Sequence, residues 1–311
     1  MPKRPAAVNS NPKAWRVPAL GFPMDFIATE PAAASLDQVL APAEPHLSFG
    51  KNGAIQFFPP QIVEWNRLRL PFDHWPAALD GLRILHLSDF HLRRYWPPVL
   101  DAVLRQINDN PPDLLLITGD FVDNKRNHRP AMPQVRRLIA GLKSRLGCFA
   151  IHGNHDSYKI GQELGGANVT FLDGRRITLQ TPRGPIEIIG LPGRHRIELT
   201  GRFLTALPPR QPALPRIVLS HFPDHLKCTG GLNADLFLAG HTHGGQICLP
   251  GGKPIIWHDA LPRKLSRGAH KVENTWLLVS RGLGFTGLPL RTFSTPEVVE
   301  IHCACEAGGA G

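Results

Sequence analysis

Across residues 82 to 151, short apolar runs alternate with segments whose apolar residues recur every three or four positions. Runs of the first kind read as strands and segments of the second as helices, the grammar of parallel βαβ units. Leu82–Leu87 predicts a strand ending at Asp89. Pro98 suits a first helical turn, and Val99, Leu100, Val103, Leu104 and Ile107 carry one helix face to Asn110-Pro111-Pro112. Leu114–Thr118 is a second strand, ending at Gly119-Asp120. Val135, Leu138, Ile139 and Leu142 mark the next helix, with Gly147 as its expected stop. Cys148–Ile151 is a third strand and ends at Gly153-Asn154-His155-Asp156.

Further along, strands dominate. Val169–Leu172 and Ile177–Gln180 flank Asp173-Gly174, which predicts a hairpin. Ile186–Leu191, Arg216–Leu219, Leu236–Ala239 and Trp276–Val279 follow. With helices early and strands throughout, the expected class is α/β (α+β), two strand-rich halves stacked as facing sheets. Residues 1 to 58 are rich in Pro and Ala with little periodicity. They read as an arm ahead of a domain over 59–311, with one short helix near Ser35–Leu40. In the arm Trp15, Val17, Leu20, Phe22, Met24, Phe26 and Ile27 cluster beside Lys13 and Arg16. The cluster either docks on the domain body or makes a shallow membrane contact.

Length and composition narrow the class without changing it. At 311 residues, 42% hydrophobic and 19% charged, the chain is an ordinary globular protein. No apolar run approaches the ~20 residues a membrane span needs, and no h-region follows Lys3 and Arg4. The expected location is the cytoplasm, with a peripheral membrane contact as the alternative. Lys and Arg exceed Asp and Glu by 35 − 25 = 10, which favours anionic partners. No basic motif with interleaved aromatics reads nucleic acid. The five cysteines have irregular spacing and form no disulfide or zinc framework.

The chemistry lies at strand ends. Asp89-Phe90-His91, Gly119-Asp120, Gly153-Asn154-His155-Asp156, Ser220-His221 and Gly240-His241-Thr242-His243 each place metal-competent side chains where an apolar strand stops. In α/β sheets those carboxyl ends line the ligand crevice, so five distant loops can meet there. Asp89 with His91, and His241 with His243, are two residues apart, and in extended backbone such pairs project to one side. A single His after a strand is usually a satisfied surface or core residue; five such segments in this order point to a metal site.

These segments resemble the calcineurin-like metallophosphoesterases, and Ser88–Leu92, Thr118–Asp123, Gly240–Gln246 and Ser280–Gly284 are similar to a subgroup of bacterial phosphodiesterases related to YkuE and YaeI. The resemblance implies a four-layer α/β/β/α sandwich of two mixed sheets flanked by helices. It also implies two divalent metal ions (Mn, Fe or Zn), one on Asp89, His91 and His243 and one on Asn154, His221 and His241, bridged by Asp120. His155 would sit over the phosphate as acid or transition-state stabiliser. Asp156 would either orient the His155 imidazole or cap backbone amides. Asp123 would support the site from behind, and His86 and His152 are core or supporting residues. The sequence departs from the wider family at Asn124, where many members carry Arg, and at Leu191–His195, where relatives often carry an acidic residue.

The expected reaction is hydrolysis of a phosphodiester or pyrophosphate by hydroxide held between the metals. A lipid-linked nucleotide such as UDP-2,3-diacylglucosamine is one substrate the subgroup suggests. Lys253, Arg263, Lys264, Arg267 and Lys271 would then either grip its anionic group or form a solvated loop. Nuclease or cyclic-nucleotide cleavage is the second enzymatic reading, and a non-catalytic metal-binding interaction module the third.

Overall fold

The inner faces of two mixed β-sheets pack against each other around a buried apolar cluster. A computed structural model describes residues 35–40, 48–49, 54–194, 197–211, 213–255 and 259–305. The first sheet has the order β1 (Ser35–Leu40), β4 (Val63–Phe72), β18 (Glu297–Cys305), β5 (Arg83–Leu87), β6 (Leu114–Ile117), β7 (Gly147–Ala150) and β8 (Thr170–Phe171). Its β5 to β8 run is parallel, while β18 pairs antiparallel with β5. The second sheet has the order β15 (Gly268–Val272), β16 (Thr275–Val279), β12 (Leu236–Ala239), β11 (Arg216–Leu219), β10 (Gly184–Gly190) and β9 (Arg175–Thr181). Its four central strands are parallel and its two edges antiparallel. Two small sheets complete the described strands: β13 (Cys248–Leu249) with β14 (Lys253–Pro254), and β17 (Leu290–Thr292) with β3 (Ile55–Phe57) and β2 (Ser48–Phe49).

Strand periodicity divides the apolar residues between layers. On β5 and β6, Ile84, Leu114 and Leu116 face the other sheet and meet Ile186, Ile188, Ile217, Leu219, Leu236 and Leu238. The alternate positions Leu85, Leu87, Leu115 and Ile117 face outward onto α1 (Val99–Asp109) and α2 (Met132–Gly141). On the far side Ile189, Val218, Phe237 and Leu277 pack with Phe203 and Leu204 of α3 (Ile197–Thr205). The arrangement is helix, sheet, sheet, helix, as expected. No helix among the described residues is long and apolar enough to cross a membrane.

Three local expectations fail. Ser35–Leu40 is a strand rather than a helix, antiparallel to β4. The open edge of the sheet offers backbone partners there, and pairing overrides weak local propensity. The second helix stops at Gly141, with Leu142 extended; Gly147 instead opens β7 at φ 140°. Asp173-Gly174 is a turn but joins no hairpin, because Thr170–Phe171 and Arg175–Thr181 belong to different sheets. The Asp173 carboxylate accepts from the His152 backbone N–H at 3.0 Å and lies 2.7 Å from its Nδ1, holding the crossing in place. β9 forms its hairpin with β10 instead. The apolar cluster from Trp15 to Ile27 lies outside the described residues.

Candidate metal centre

All five strand-end segments come together at one edge of the sandwich, above the carboxyl ends of β5, β6, β7, β11 and β12. The backbone there is not extended. Asp89, His91, Asp120, His241 and His243 take φ of 51°, 44°, 54°, 71° and 52°. Each pair two residues apart therefore converges through left-handed kinks, and not through the strand alternation expected from spacing. Left-handed backbone costs a non-glycine residue roughly 1–2 kcal/mol, so tertiary contacts must hold it. Those contacts are visible: Gly119 C=O accepts from Asp89 N–H (2.9 Å), and Asp120 C=O from His91 N–H (3.0 Å). Gly119 has φ 95°, and a Cβ there would overlap the Gly153 backbone nitrogen. At Gly240 a Cβ would overlap the side chains of Ser88 and Asp89. These two glycines let neighbouring loops touch.

Side-chain donors follow the loops. Asp120 Oδ2 lies 3.4 Å from His91 Nε2 and 3.3 Å from His221 Nε2. His91 Nε2 is 3.0 Å from His243 Nε2, and Asp89 Oδ1 is 3.5 Å from the same His243 atom. Asn154 Oδ1 lies 2.9 Å from His221 Nε2. The His241 ring stands 5.1 Å from that of His221, and its backbone N–H donates to the Asp89 carboxylate. Ligands ~2.1 Å from one ion are about 3.0 Å apart at right angles and about 3.4 Å apart at tetrahedral angles. The observed spacings fall in or close to that range. Two triads, Asp89 with His91 and His243, and Asp89 with Asp120 and His221, have ligand atoms within 4.8 Å of one another and are buried. Carboxylate, amide and imidazole donors in this arrangement fit divalent metal ions.

Electrostatics support the fit. Burial would raise the Asp120 pKa, but His221 and His91 hold it well below the ordinary carboxylate range. Burial would lower the His221 pKa, yet Asp120 and Asp89 push it up to about 9. The pocket thus demands positive charge beside Asp120.

Supporting residues set the orientation of these groups. His221 Nδ1 donates to Thr118 C=O at 2.8 Å, leaving Nε2 toward Asp120 and Asn154. Thr118 Oγ1 donates to Ser88 Oγ (2.8 Å), which donates to Asp89 Oδ2 (2.5 Å). His86 Nε2 reaches the same threonine at 2.8 Å, and burial pushes its pKa down to about 3, in keeping with a core role. His152 is likewise a supporting residue, paired with Asp173. Asp123 lies behind His91, its Oδ1 3.5 Å from His91 Nδ1, and pairs with Arg93 at 3.1 Å.

His155 sits at the mouth of the site. Its backbone N–H donates to Asp120 Oδ1 (2.7 Å), and its Nδ1 donates to the Asp123 carbonyl (2.7 Å). That carbonyl, and not Asp156, is the partner of the ring. Asp156 caps amides, accepting from Gly153 N–H at 2.9 Å and Val122 N–H at 3.1 Å, and burial raises its pKa to about 7. Of the two readings of Asp156, these contacts favour the amide cap. Asn124 caps a short turn, its Oδ1 accepting from Arg126 and Asn127 N–H.

Arg291 is a site residue that motif reading missed. The residue is 1% exposed, and its Nη2 lies 2.9 Å from His243 Nδ1. Other donors of the group reach the carbonyls of Gly284, Arg281 and Ser294. It stands 48 residues beyond His243 with no motif around it, so no local signal marks it. Within the basic stretch, Lys271 pairs with Asp73 and Arg267 donates to the Phe293 and Gly251 carbonyls, which ties both into the framework.

Residues 82–245, more than half of the chain, match the family described as calcineurin-like phosphoesterase. The chain belongs to that family. Among relatives of this phosphoesterase, "Uncharacterized metallophosphoesterase YkuE" of Bacillus subtilis is 33% identical over 80% of this chain and 88% of its own length. "Phosphodiesterase YaeI" of Escherichia coli is 32% identical over 80% of this chain and 92% of its own. "UDP-2,3-diacylglucosamine pyrophosphatase LpxG" of Chlamydia muridarum is 27% identical over 79% and 91%. The phosphoesterase therefore carries a metallophosphoesterase domain with phosphodiesterase and pyrophosphatase relatives, and its motifs all fall on the described loops.

Proposed function

We propose that this protein hydrolyses phosphodiester or pyrophosphate bonds at a dinuclear divalent-metal centre. One ion would be held by Asp89, His91 and His243, the other by Asn154, His221 and His241. The single observation that carries this reading is the position of Asp120 Oδ2, 3.4 and 3.3 Å from a His of each set. A carboxylate between two imidazoles from different loops is the bridge such a pair requires. When bound, divalent ions supply Lewis acidity that stabilises phosphoryl charge and brings the pKa of a water toward ~7.

The chain's own residues supply orientation and a proton. With Nδ1 engaged by the Asp123 carbonyl, His155 Nε2 is the polar ring atom left for a leaving oxygen. A proton carried there passes to the departing alkoxide or phosphate, while the Asp120 contact at the His155 backbone fixes the ring's loop. Asp156 holds that loop by capping, so its contribution is to position His155. Which metals fill the site follows from supply as much as from ligands, and Mn, Fe and Zn all suit the donor set.

A lipid-linked nucleotide of the UDP-2,3-diacylglucosamine kind is supported by similarity to the chlamydial pyrophosphatase and by the apolar wall of the cavity. The ~380 Å³ cavity at the site is lined by His91, Asp120, His155 and His243 together with Ile247 and Leu288. Purified protein reconstituted with Mn²⁺ should hydrolyse an aryl phosphodiester, and a chelator should abolish turnover. His155→Ala should keep its metal content and lose ~10²–10⁴-fold in kcat. Absence of hydrolysis with any of Mn²⁺, Fe²⁺ or Zn²⁺ would sink the enzymatic reading. Release of UMP from the nucleotide-lipid, compared with DNA and cyclic nucleotides, ranks the substrates.

A further inference from the structure

The exposed large apolar side chains among the described residues are unevenly placed. Four of six lie on or next to the two small sheets: Phe57 (40% exposed) and Leu249 (51%) within their strands, Ile255 (49%) just after β14, and Leu288 (61%) just before β17 and at the metal cavity. Those sheets form one platform. Phe57 pairs with Leu290, Ile247 bridges to Thr292, Ile255 N–H donates to Ile247 C=O, and Gln246 donates to the Leu288 carbonyl. Leu288 and Ile247 also line the cavity, so the platform is continuous with the place where the phosphoester would lie.

Cationic side chains surround it. Lys253 is exposed at the hairpin tip opposite Leu249. Arg94 is exposed, next in sequence to Arg93, which stacks 4.5 Å from the Phe58 ring while paired with Asp123. Lys125 is exposed and donates to the carbonyl of Asn154, one of the proposed metal ligands. The chain as a whole carries +10. Apolar side chains ringed by Lys and Arg make the pattern that seats on an anionic bilayer, where the side chains enter the headgroup layer and the cations meet lipid phosphate.

We propose that this platform is a membrane-docking face, seated on an anionic lipid surface so that the cavity opens toward a phosphoester resident in that surface. The proposal rests on the function given above for its orientation, but binding to lipid can be measured with no turnover at all. Apolar exposure gathered near a site marks a binding groove or an interaction surface, and the exposed Lys and Arg beside it favour an anionic lipid surface.

Sedimentation with sucrose-loaded vesicles of phosphatidylglycerol and phosphatidylcholine tests it. The wild-type full chain should bind mixed vesicles, and bind vesicles of phosphatidylcholine alone at least ten-fold more weakly. The double variant Leu249→Asp with Ile255→Asp, which touches none of the proposed ligands, should lose ten-fold or more of the binding. It should keep wild-type hydrolysis of a soluble aryl phosphodiester. No wild-type sedimentation overturns the proposal. So does binding that the double variant leaves intact, which would assign the contact to another segment such as residues 1–58. A wild-type dimer that the variant abolishes, with no vesicle binding, would mean that a second copy covers the face.

Discussion

Arg291 Nη2 lies 2.9 Å from His243 Nδ1, joining the strand β17 to the Gly-His-Thr-His loop through a buried side chain. The same group donates to carbonyls of Gly284 and Arg281, so it ties the Ser280–Gly284 loop to the site as well. A buried cation with several backbone acceptors is a rigid anchor. Arg291→Lys keeps the charge but cannot reproduce the fork. It should lower metal affinity or kcat/KM by about 10–100-fold, the usual effect of losing a partner behind a ligand. Metal content measured against free Mn²⁺ checks this independently of turnover, and unchanged affinity and activity would show Arg291 to be structural only.

Asp120 faces His91 and His221 with one oxygen and receives the His155 N–H on the other. Asp120→Asn keeps the shape and removes the charge that the proposed pair shares. Activity should fall by more than ~100-fold, beyond what loss of a supporting residue causes. Elemental analysis should give less than the wild-type metal content. Full retention of both would mean the bridge lies elsewhere.

Gly119 permits the close pass between the loops after β6 and β7. Its φ of 95° and the Gly153 nitrogen beside it leave no room for a methyl group. Gly119→Ala should cost at least ~2 kcal/mol of stability, from backbone strain and overlap together. Denaturant unfolding would show it as a lower midpoint; a midpoint equal to wild type would mean that the loops part without cost.

Glu297 anchors the strand β18 to the loop after β16. Burial opposes its ionisation, but Arg281 and Asn66 hold its pKa below 4.5. Arg281 donates to it from the backbone and the side chain at 2.7–2.9 Å. A carboxylate whose pKa is depressed on folding stabilises fully above its unfolded pKa of about 4.5. That contribution is lost as pH falls through the folded value. Thermal midpoints of the wild type should therefore drop on acidification below about pH 4.5. Glu297→Gln should start roughly 1–3 kcal/mol less stable at neutral pH and show a shallower acid slope. Parallel slopes in the two proteins would remove Glu297 from the acid transition.

Much of this architecture is written locally. Apolar runs and helical spacing marked β5 to β7, β11, β12, α1 and α2 within a few residues, because each buries at least one face and its pattern follows the period of the element. The five chemical segments were legible for the same reason, as polar groups placed where a buried strand stops.

Other features needed the fold. Ser35–Leu40 takes its conformation from an open sheet edge, and Asp173-Gly174 turns the chain from one sheet into the other, neither of which a local window contains. The left-handed backbone of Asp89, His91, Asp120, His241 and His243 is held by contacts between loops, where spacing alone suggested extended chain. The same holds for the Asp123 carbonyl behind His155 and for Arg291 behind His243. The chain by itself determined which side chains can do the chemistry and at which strand ends they stand. Only the packed structure decided how they face one another, because orientation depends on hydrogen bonds between residues tens to hundreds of positions apart, and no local energy term specifies those.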